Sequence, residues 1–151
     1  MKKFGSFALA LTVTVISHPA FGQFAKPEDA IKYRQSAFFV MQQNFSRVAA
    51  MAAGKAPFDA KVAAESAAVA EFVGKLPWAG FADGTDKGRD NRAKPEIWSQ
   101  RAKFNESADK MQVELAKFNA AAKTGNLENI KATIAGVGGT CKTCHDAFRK
   151  D

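Results

Sequence analysis

Two cysteines and a histidine near the C-terminal end of the chain have the spacing of a haem attachment site. Cys141 and Cys144 are three positions apart, and His145 directly follows the second cysteine. In such a C-x-x-C-H pattern the thiols add to the two vinyl groups of a porphyrin, and the histidine reaches the iron. Positions i, i+3 and i+4 share one face of a helix. The motif therefore predicts a covalently attached haem c.

Three other uses of this motif are weaker. A thioredoxin-like dithiol requires a strand-helix-strand context, which the sequence does not show, and a zinc site requires about four ligands where the motif offers three. A structural disulfide remains open to an exported protein. Cys141 and Cys144 are, however, the only cysteines of the chain. Neither dithiol chemistry nor a disulfide explains a histidine directly after them.

The N-terminal 22 residues have the form of a secretory signal peptide. Two lysines precede an apolar run from Phe4 to Ile16, which is followed by a small-x-small cleavage site, Ala20-Phe21-Gly22. The run is shorter than the about 20 residues that a transmembrane helix needs, which disfavours an uncleaved membrane anchor. We expect residues 1–22 to be removed and residues 23–151 to form the mature, exported domain. Export suits a c-type haem, which is attached outside the cytoplasm.

The mature chain is a basic single domain with one histidine. Removing residues 1–22 leaves 129 residues and lowers the net charge from +7 to +5, because Lys2 and Lys3 are lost with no acidic residue. His18 is lost as well, so His145 remains alone and two histidines of one chain cannot both ligate the iron. The basic residues are scattered along the chain, which is typical of solvated helix faces, argues against nucleic acid binding and leaves acidic partners open.

Apolar residues recur every three or four positions in four segments, which predicts four amphipathic helices. The expected helices run from Lys26 to about Met51, from about Asp59 to Lys75, from Pro95 to Gly125, and from the N-cap Asn126 through the haem motif. The segment 77–94 has no such period and is expected to be a long loop. We therefore expect an all-α, antiparallel four-helix bundle that holds the haem between its helices near one end.

The spacing also predicts which side chains are buried. The apolar stripe of the first helix includes Phe38 and Met41, and Arg34 interrupts it. A buried cation needs a partner, for which a haem propionate is the obvious anion. The alternative is a surface arginine of which only the alkyl stem is packed. On the second helix, Val69 and Phe72 are expected on the apolar side.

Five segments of the mature chain carry a resemblance to a known family. They are Gln-Phe-Ala-Lys-Pro-Glu-Asp-Ala at 23–30, Tyr33-Arg34-Gln35, Leu76-Pro77-Trp78, Pro95-Glu96-Ile97-Trp98 and Cys-Lys-Thr-Cys-His-Asp-Ala-Phe-Arg at 141–149. Through them the chain resembles the cytochromes c′, the class II c-type cytochromes. The resemblance implies a five-coordinate, high-spin haem c in a four-helix bundle, usually a periplasmic homodimer. It also implies binding of small neutral gases such as NO and CO.

The resemblance assigns roles on both sides of the iron. His145 matches the proximal ligand, and Phe38 matches the side chain that closes the distal face, where many relatives have leucine. Phe38 has no atom that ligates iron, and its alternative role, core packing, is compatible with the first. Arg149 matches an arginine near the proximal face; its alternative is a favourable interaction with the C-terminal end of the helix dipole.

The resemblance also assigns residues around the porphyrin. Arg34 and Gln35 match residues that contact the haem edge. Trp78 and Phe81 match aromatic residues that pack against the porphyrin or the distal pocket, with ordinary packing over the bundle end as their alternative. Because the segment 85–94 does not match relatives cleanly, no role is carried over to it.

Three functions are compatible with these residues. The first is a haem protein that binds NO and CO, and that also transfers electrons to an unknown redox partner. The second is a low-spin electron carrier in which Met41 is the sixth ligand, although methionine at such a position is more often core filling. The third is a peroxidase or an NO reductase, which we rank last because peroxide cleavage needs a polar distal acid or base, and the stripe of the first helix offers only Arg34.

Overall fold

The computed structural model describes residues 23–88 and 91–150. Its elements in chain order are α1 (Pro27–Ala52), α2 (Ala60–Val73), a 3₁₀ helix (Pro77–Phe81), α3 (Glu96–Ser99), α4 (Arg101–Lys123) and α5 (Leu127–Phe148). The long helices form the expected antiparallel bundle, in which α1 packs on α2, α2 on α4 and α4 on α5, while α1 and α5 meet less extensively. The signal peptide predicted for residues 1–22 lies outside the described residues.

Polar caps set the beginnings of two long helices. The Asp59 carboxylate accepts a hydrogen bond from the backbone N–H of Val62 at 3.0 Å. At the start of α5, the Asn126 side chain accepts from the backbone N–H groups of Glu128 and Asn129. Such caps satisfy donors that have no partner within the helix. The N-cap predicted at Asn126 is confirmed.

The buried face of α2 differs from the one predicted. Val69 and Phe72 are exposed, by 40% and 66%. The buried positions are instead small residues, Ala63, Ser66, Ala67 and Ala70. Small side chains let the backbone of α2 approach its neighbours closely, and burial of that face leaves the larger apolar residues outside.

The region after α2 is more ordered than predicted. The first five residues of the segment predicted to be a loop form a 3₁₀ helix, Pro77–Phe81, which packs on α1. A Cβ at Gly80 would lie 2.6 Å from the Ala30 carbonyl oxygen, so the two backbones approach each other closely. The single helix predicted after Pro95 is divided at Gln100, whose backbone (φ −120°, ψ 44°) is not helical.

The core consists of two apolar clusters that meet at the aromatic residues Phe38 and Trp78. The larger cluster fills the bundle between α1, α2, α4 and α5. The smaller cluster is built around Phe81, Phe104 and Phe148. Within the described residues, no helix has the length and apolar character needed to cross a membrane.

Candidate haem site

A cavity of about 700 Å³ lies between α1 and α5 beside the 3₁₀ helix. This volume is within the usual range of cofactor sites. The wall brings together every residue that the sequence singled out for the site, which are Arg34, Gln35, Phe38, Met41, Trp78, Phe81, Cys141, Cys144, His145 and Arg149. Residues more than 100 positions apart in the chain thus surround one space.

The α5 wall of the cavity carries the C-x-x-C-H motif. Cys141 and Cys144 are half-buried free thiols, so the disulfide considered above is not formed in this structure. Burial raises the pKa of Cys141, and burial with a smaller contribution from Cys141 raises the pKa of Cys144 to about 11. Both thiols are therefore neutral at pH 7, as expected of groups placed against an apolar cavity.

His145 lies beside the two thiols on the same wall. The residue is exposed, yet partial desolvation lowers the pKa of its imidazole, and the positive charges of Arg149 and Arg92 lower it further. The ring is therefore neutral at physiological pH, which is the form that binds a metal. Thiols on an apolar wall with a neutral imidazole beside them fit a thioether-linked haem with one histidine ligand.

The wall contributed by α1 and the 3₁₀ helix is aromatic. The half-buried Phe38 packs edge-on against Trp78, with ring centroids 5.5 Å apart, and against Phe81 at 6.3 Å. The indole N–H of Trp78 donates to the Gly74 carbonyl at 2.8 Å, so its polar atom is occupied outside the aromatic cluster. These three side chains present no ligating atom to the cavity.

Arg34 is 2% exposed, so the alternative of a surface arginine is wrong. Its guanidinium donates to the Gly80 carbonyl at 2.6 Å, to the hydroxyl and carbonyl oxygens of Thr85 at 3.0 Å each, and to the Asn91 side-chain oxygen at 3.3 Å. It also lies 4.3 Å from the centroid of the Phe81 ring. Burial lowers the pKa of Arg34 to about 10.

Among the described residues, the groups that accept hydrogen bonds from Arg34 are all neutral. No carboxylate among the described residues forms an ion pair with it. Arg34 also lines the cavity, so its contact with a haem propionate stays a prediction. Its hydrogen bonds give the guanidinium a second role, which the sequence did not indicate. It fastens the 3₁₀ helix and the following turn to α1.

The remaining predicted residues lie at the edges of the cavity. Gln35 is exposed on the rim next to Arg34. On the opposite side, Arg149 lies with Nη1 3.4 Å from His145 Nδ1. A charged group at this position acts on the ring that would hold the iron.

Met41 is 7% exposed and lines the cavity deeper in the bundle. Its sulfur lies near the end of α2, because a Cβ built on Gly74 would be 3.4 Å from Met41 Sδ. The same Cβ would be 2.5 Å from a methyl group of Leu115. The Met41 sulfur therefore fills a gap between helices.

Sequence reasoning missed the residues that support this site from the segment 85–94. Thr85 is 4% exposed, and its hydroxyl donates to the Ala82 carbonyl at 2.7 Å while accepting from Arg34. Arg92 lines the cavity beside Arg149. The segment has no periodic pattern, so only its contacts with distant helices reveal these roles.

The bundle, the cavity and the attachment motif together define a c-type haem protein of the four-helix class. The sequence profile described as Cytochrome C' matches residues 29–149. Cytochrome c′ of Rubrivivax gelatinosus is 54% identical over 128 residues, which cover 85% of this chain and 99% of the relative. Cytochrome c′ of Alcaligenes xylosoxydans xylosoxydans is 44% identical over 128 residues, or 85% of this chain and 98% of the relative.

Solved structures give the same result. The crystal structure of cytochrome c′ from Rubrivivax gelatinosus has a TM-score of 0.82 at 54% identity and covers 85% of this chain and 100% of its own. A nitric oxide complex of a leucine-to-alanine variant of the Alcaligenes xylosoxidans protein has a TM-score of 0.79 at 43% identity, with 85% and 99% covered. The chain belongs to the cytochrome c′ family.

Proposed function

We propose that the chain holds one haem c through Cys141 and Cys144, with His145 as proximal ligand, and that its five-coordinate iron binds NO and CO. The observation that carries this proposal is the pairing of the C-x-x-C-H wall of α5 with the aromatic side chains of Phe38, Trp78 and Phe81, none of which has an atom that ligates iron. When bound, the haem supplies an iron that takes a gas at its sixth position and changes its oxidation state by one electron.

The aromatic wall favours small neutral ligands. An anion or a strongly hydrated ligand loses its water next to Phe38, Trp78 and Phe81 and gains no hydrogen bond from these three side chains in return. The guanidinium of Arg34 beside Phe81 already donates to Gly80, Thr85 and Asn91. A neutral diatomic gas loses little hydration. Two variants of the cytochrome c′ from Alcaligenes xylosoxidans have been solved as nitric oxide complexes, which supports NO as a ligand of this chain.

The alternative is a low-spin electron carrier with Met41 as the sixth ligand. Met41 is on the α1 wall, but its sulfur packs near Gly74 and Leu115, and Phe38 lies one turn closer to the start of α1. This arrangement favours Phe38 as the group that covers the iron.

Replacing Met41 by leucine separates the two functions. With Phe38 over the iron, the reduced Met41→Leu protein keeps the absorption spectrum of the wild type and the same shift on addition of CO. Met111→Leu, the same substitution at a buried residue of α4 that also lines the cavity, is the control. If Met41 were a ligand, its replacement alone would abolish sharp visible bands and create CO binding.

Binding and electron exchange, rather than catalysis, also fit the wall chemistry. A peroxidase needs a distal group that moves a proton. Arg34 is a polar side chain of this wall, and its guanidinium donates to Gly80, Thr85 and Asn91. It retains its proton at neutral pH, since its pKa of about 10 is well above 7.

We place the protein in the periplasm of its host. The support is the form of residues 1–22, with two lysines, an apolar run and a small-x-small cleavage site. Because haem is attached to c-type proteins outside the cytoplasm, the chain must be exported before it receives the haem.

We further propose a homodimer formed through α1 and α2. Five of the six large apolar side chains that are exposed in the described residues belong to these helices or the turn between them, which are Phe39, Val40, Phe58, Val69 and Phe72. Large exposed apolar side chains concentrated on two helices that pack together favour an interface there. Because α2 packs against its own chain through small residues, its large residues Val69 and Phe72 remain exposed and can contact a second copy of the protein.

The dimer is tested by placing a charge on this face. Phe72→Glu buries a carboxylate in the interface and should convert the holoprotein to a monomer in analytical ultracentrifugation. Val113→Glu, at a residue of α4 that is 53% exposed, should leave the dimer intact. A Phe72→Glu protein that still sediments as a dimer would remove this face from the interface.

A further inference from the structure

One edge of the cavity is basic. Arg92 and Lys94 precede α3, Arg149 and Lys150 follow α5, and a single β-bridge between Ala93 and Arg149 joins the two segments. Backbone hydrogen bonds from Lys94 to Phe148 (3.0 Å) and from Lys150 to Arg92 (2.7 Å) hold them together. We name the four cationic residues the basic rim. Two of them, Arg92 and Arg149, line the cavity itself.

Within the part of the chain that the structure describes, no ion pair neutralises the charges of the basic rim. Side chains of the rim contact neutral groups instead: Arg92 Nε donates to the Lys150 carbonyl at 3.0 Å, and Lys94 Nζ donates to the Asp146 carbonyl at 2.9 Å. None of the seven ion pairs within residues 23–88 and 91–150 includes a rim residue.

Several lysines elsewhere in the described residues have acidic neighbours. Lys61, Lys75, Lys110, Lys117 and Lys131 each pair with a glutamate three or four positions away on the same helical segment. The carboxylate of Asp146, next to the rim, pairs with Lys142. Among the described residues, segments 91–94 and 142–150 together hold five basic residues and one acidic residue. The described part of this edge is therefore predominantly positive.

We propose that the basic rim is the docking surface for an acidic electron-transfer protein. The proposal rests on the proposed function, because two rim residues, Arg92 and Arg149, line the cavity that would hold the haem. A partner with an acidic face would be steered to that edge. One electron would then pass between the partner's redox centre and the haem iron. The iron would become ferrous when the partner is oxidised, or ferric when the partner is reduced. Steering of this kind raises association rates by about 10- to 1000-fold at low salt.

The test compares two double charge reversals that change the net charge equally. Lys94→Glu with Lys150→Glu alters the rim without changing a cavity-lining residue, and Lys61→Glu with Lys131→Glu alters two exposed lysines on the N-terminal halves of α2 and α5. Stopped-flow absorption follows reduction of each ferric holoprotein by reduced plant-type ferredoxin, an acidic protein, and oxidation of each ferrous holoprotein by ferricyanide and by the cation tris(phenanthroline)cobalt(III).

Docking at the rim predicts a specific order of rates. At low ionic strength the rim variant should react about tenfold more slowly with ferredoxin and ferricyanide and faster with the cobalt cation, whereas the control variant should stay within about twofold of the wild type. The differences should vanish in 0.5 M salt, where charges are screened within about 5 Å. Equal rates in the two variants would overturn the proposal, since net charge alone would then control the reaction. CO binding by every variant, recorded separately, tests the gas-binding function independently.

Discussion

Replacing Phe38 by alanine should accelerate CO binding to the reduced holoprotein by about tenfold or more, which corresponds to a barrier lowered by about 1.4 kcal/mol or more. The Phe38 ring lies on the α1 wall and is held edge-on between Trp78 and Phe81. Truncation removes the ring and leaves space on the face that a gas must reach. Flash photolysis or stopped-flow mixing with CO measures the rate directly.

A core variant separates gating from general loosening. Phe118 is fully buried on α4 and packs on Phe45, with ring centroids 5.4 Å apart, outside the aromatic cluster around Phe38. Phe118→Leu should destabilise the bundle and leave the CO rate within about twofold, because the distal wall is intact. Similar rates in wild type and Phe38→Ala would show that Phe38 does not restrict access.

Replacing Arg34 by methionine should lower the free energy of unfolding of the holoprotein by about 3 kcal/mol. The change keeps an apolar chain of similar length and removes the donors to Gly80, Thr85 and Asn91. Two of these acceptors are buried carbonyl groups that would be left without this donor. Denaturant unfolding followed by absorption and circular dichroism gives the value. Arg47→Met, which removes one 3.3 Å hydrogen bond to Ser66, should cost about 0.5 kcal/mol.

Two further variants identify which partner of Arg34 matters. Arg34→Lys should rescue little, because one ammonium group does not reproduce the planar fork that reaches Gly80 and Thr85 together. Thr85→Val should cost about 1–2 kcal/mol if the turn is the main partner. An Arg34→Met protein that unfolds like the wild type, or a Thr85→Val protein that loses nothing, would contradict the role of Arg34 as the fastening of the 3₁₀ helix and its turn.

The α5 wall of the cavity was predictable from the sequence because the residues that identify it are close together in the chain. Cys141, Cys144 and His145 lie within five residues, and helical periodicity alone places both cysteines on the inner face of α5. The same periodicity places Phe38 and Met41 on the inner side of α1. Repetition along four segments then predicted the bundle.

The buried face of α2 was not predictable from hydrophobicity, because alanine-rich and valine-rich faces both score as apolar. Packing decides between them: the face that α2 turns toward the core carries Ala63, Ser66, Ala67 and Ala70, which are the buried residues of this helix. Because the face with the small residues is buried, the opposite face of α2, which carries Phe72, is exposed.

The partners of Arg34 were also beyond reach of the sequence. Gly80, Thr85 and Asn91 are 46 to 57 positions away, in a segment without a period. The sequence predicted that Arg34, a cation on the apolar stripe of α1, needs a partner. The only partner that it suggested was a haem propionate. The three-dimensional course of the turn after the 3₁₀ helix supplies neutral acceptors as well.

The most direct test of the account is the absorption spectrum of the dithionite-reduced holoprotein before and after addition of CO. A covalent haem with His145 on one side and Phe38 on the other predicts a broad, unsplit visible band that shifts when CO binds, because five-coordinate iron has an open sixth position. Sharp, separate visible bands that CO does not move would contradict the account. They would mean that a protein side chain occupies that position, with Met41 the first candidate.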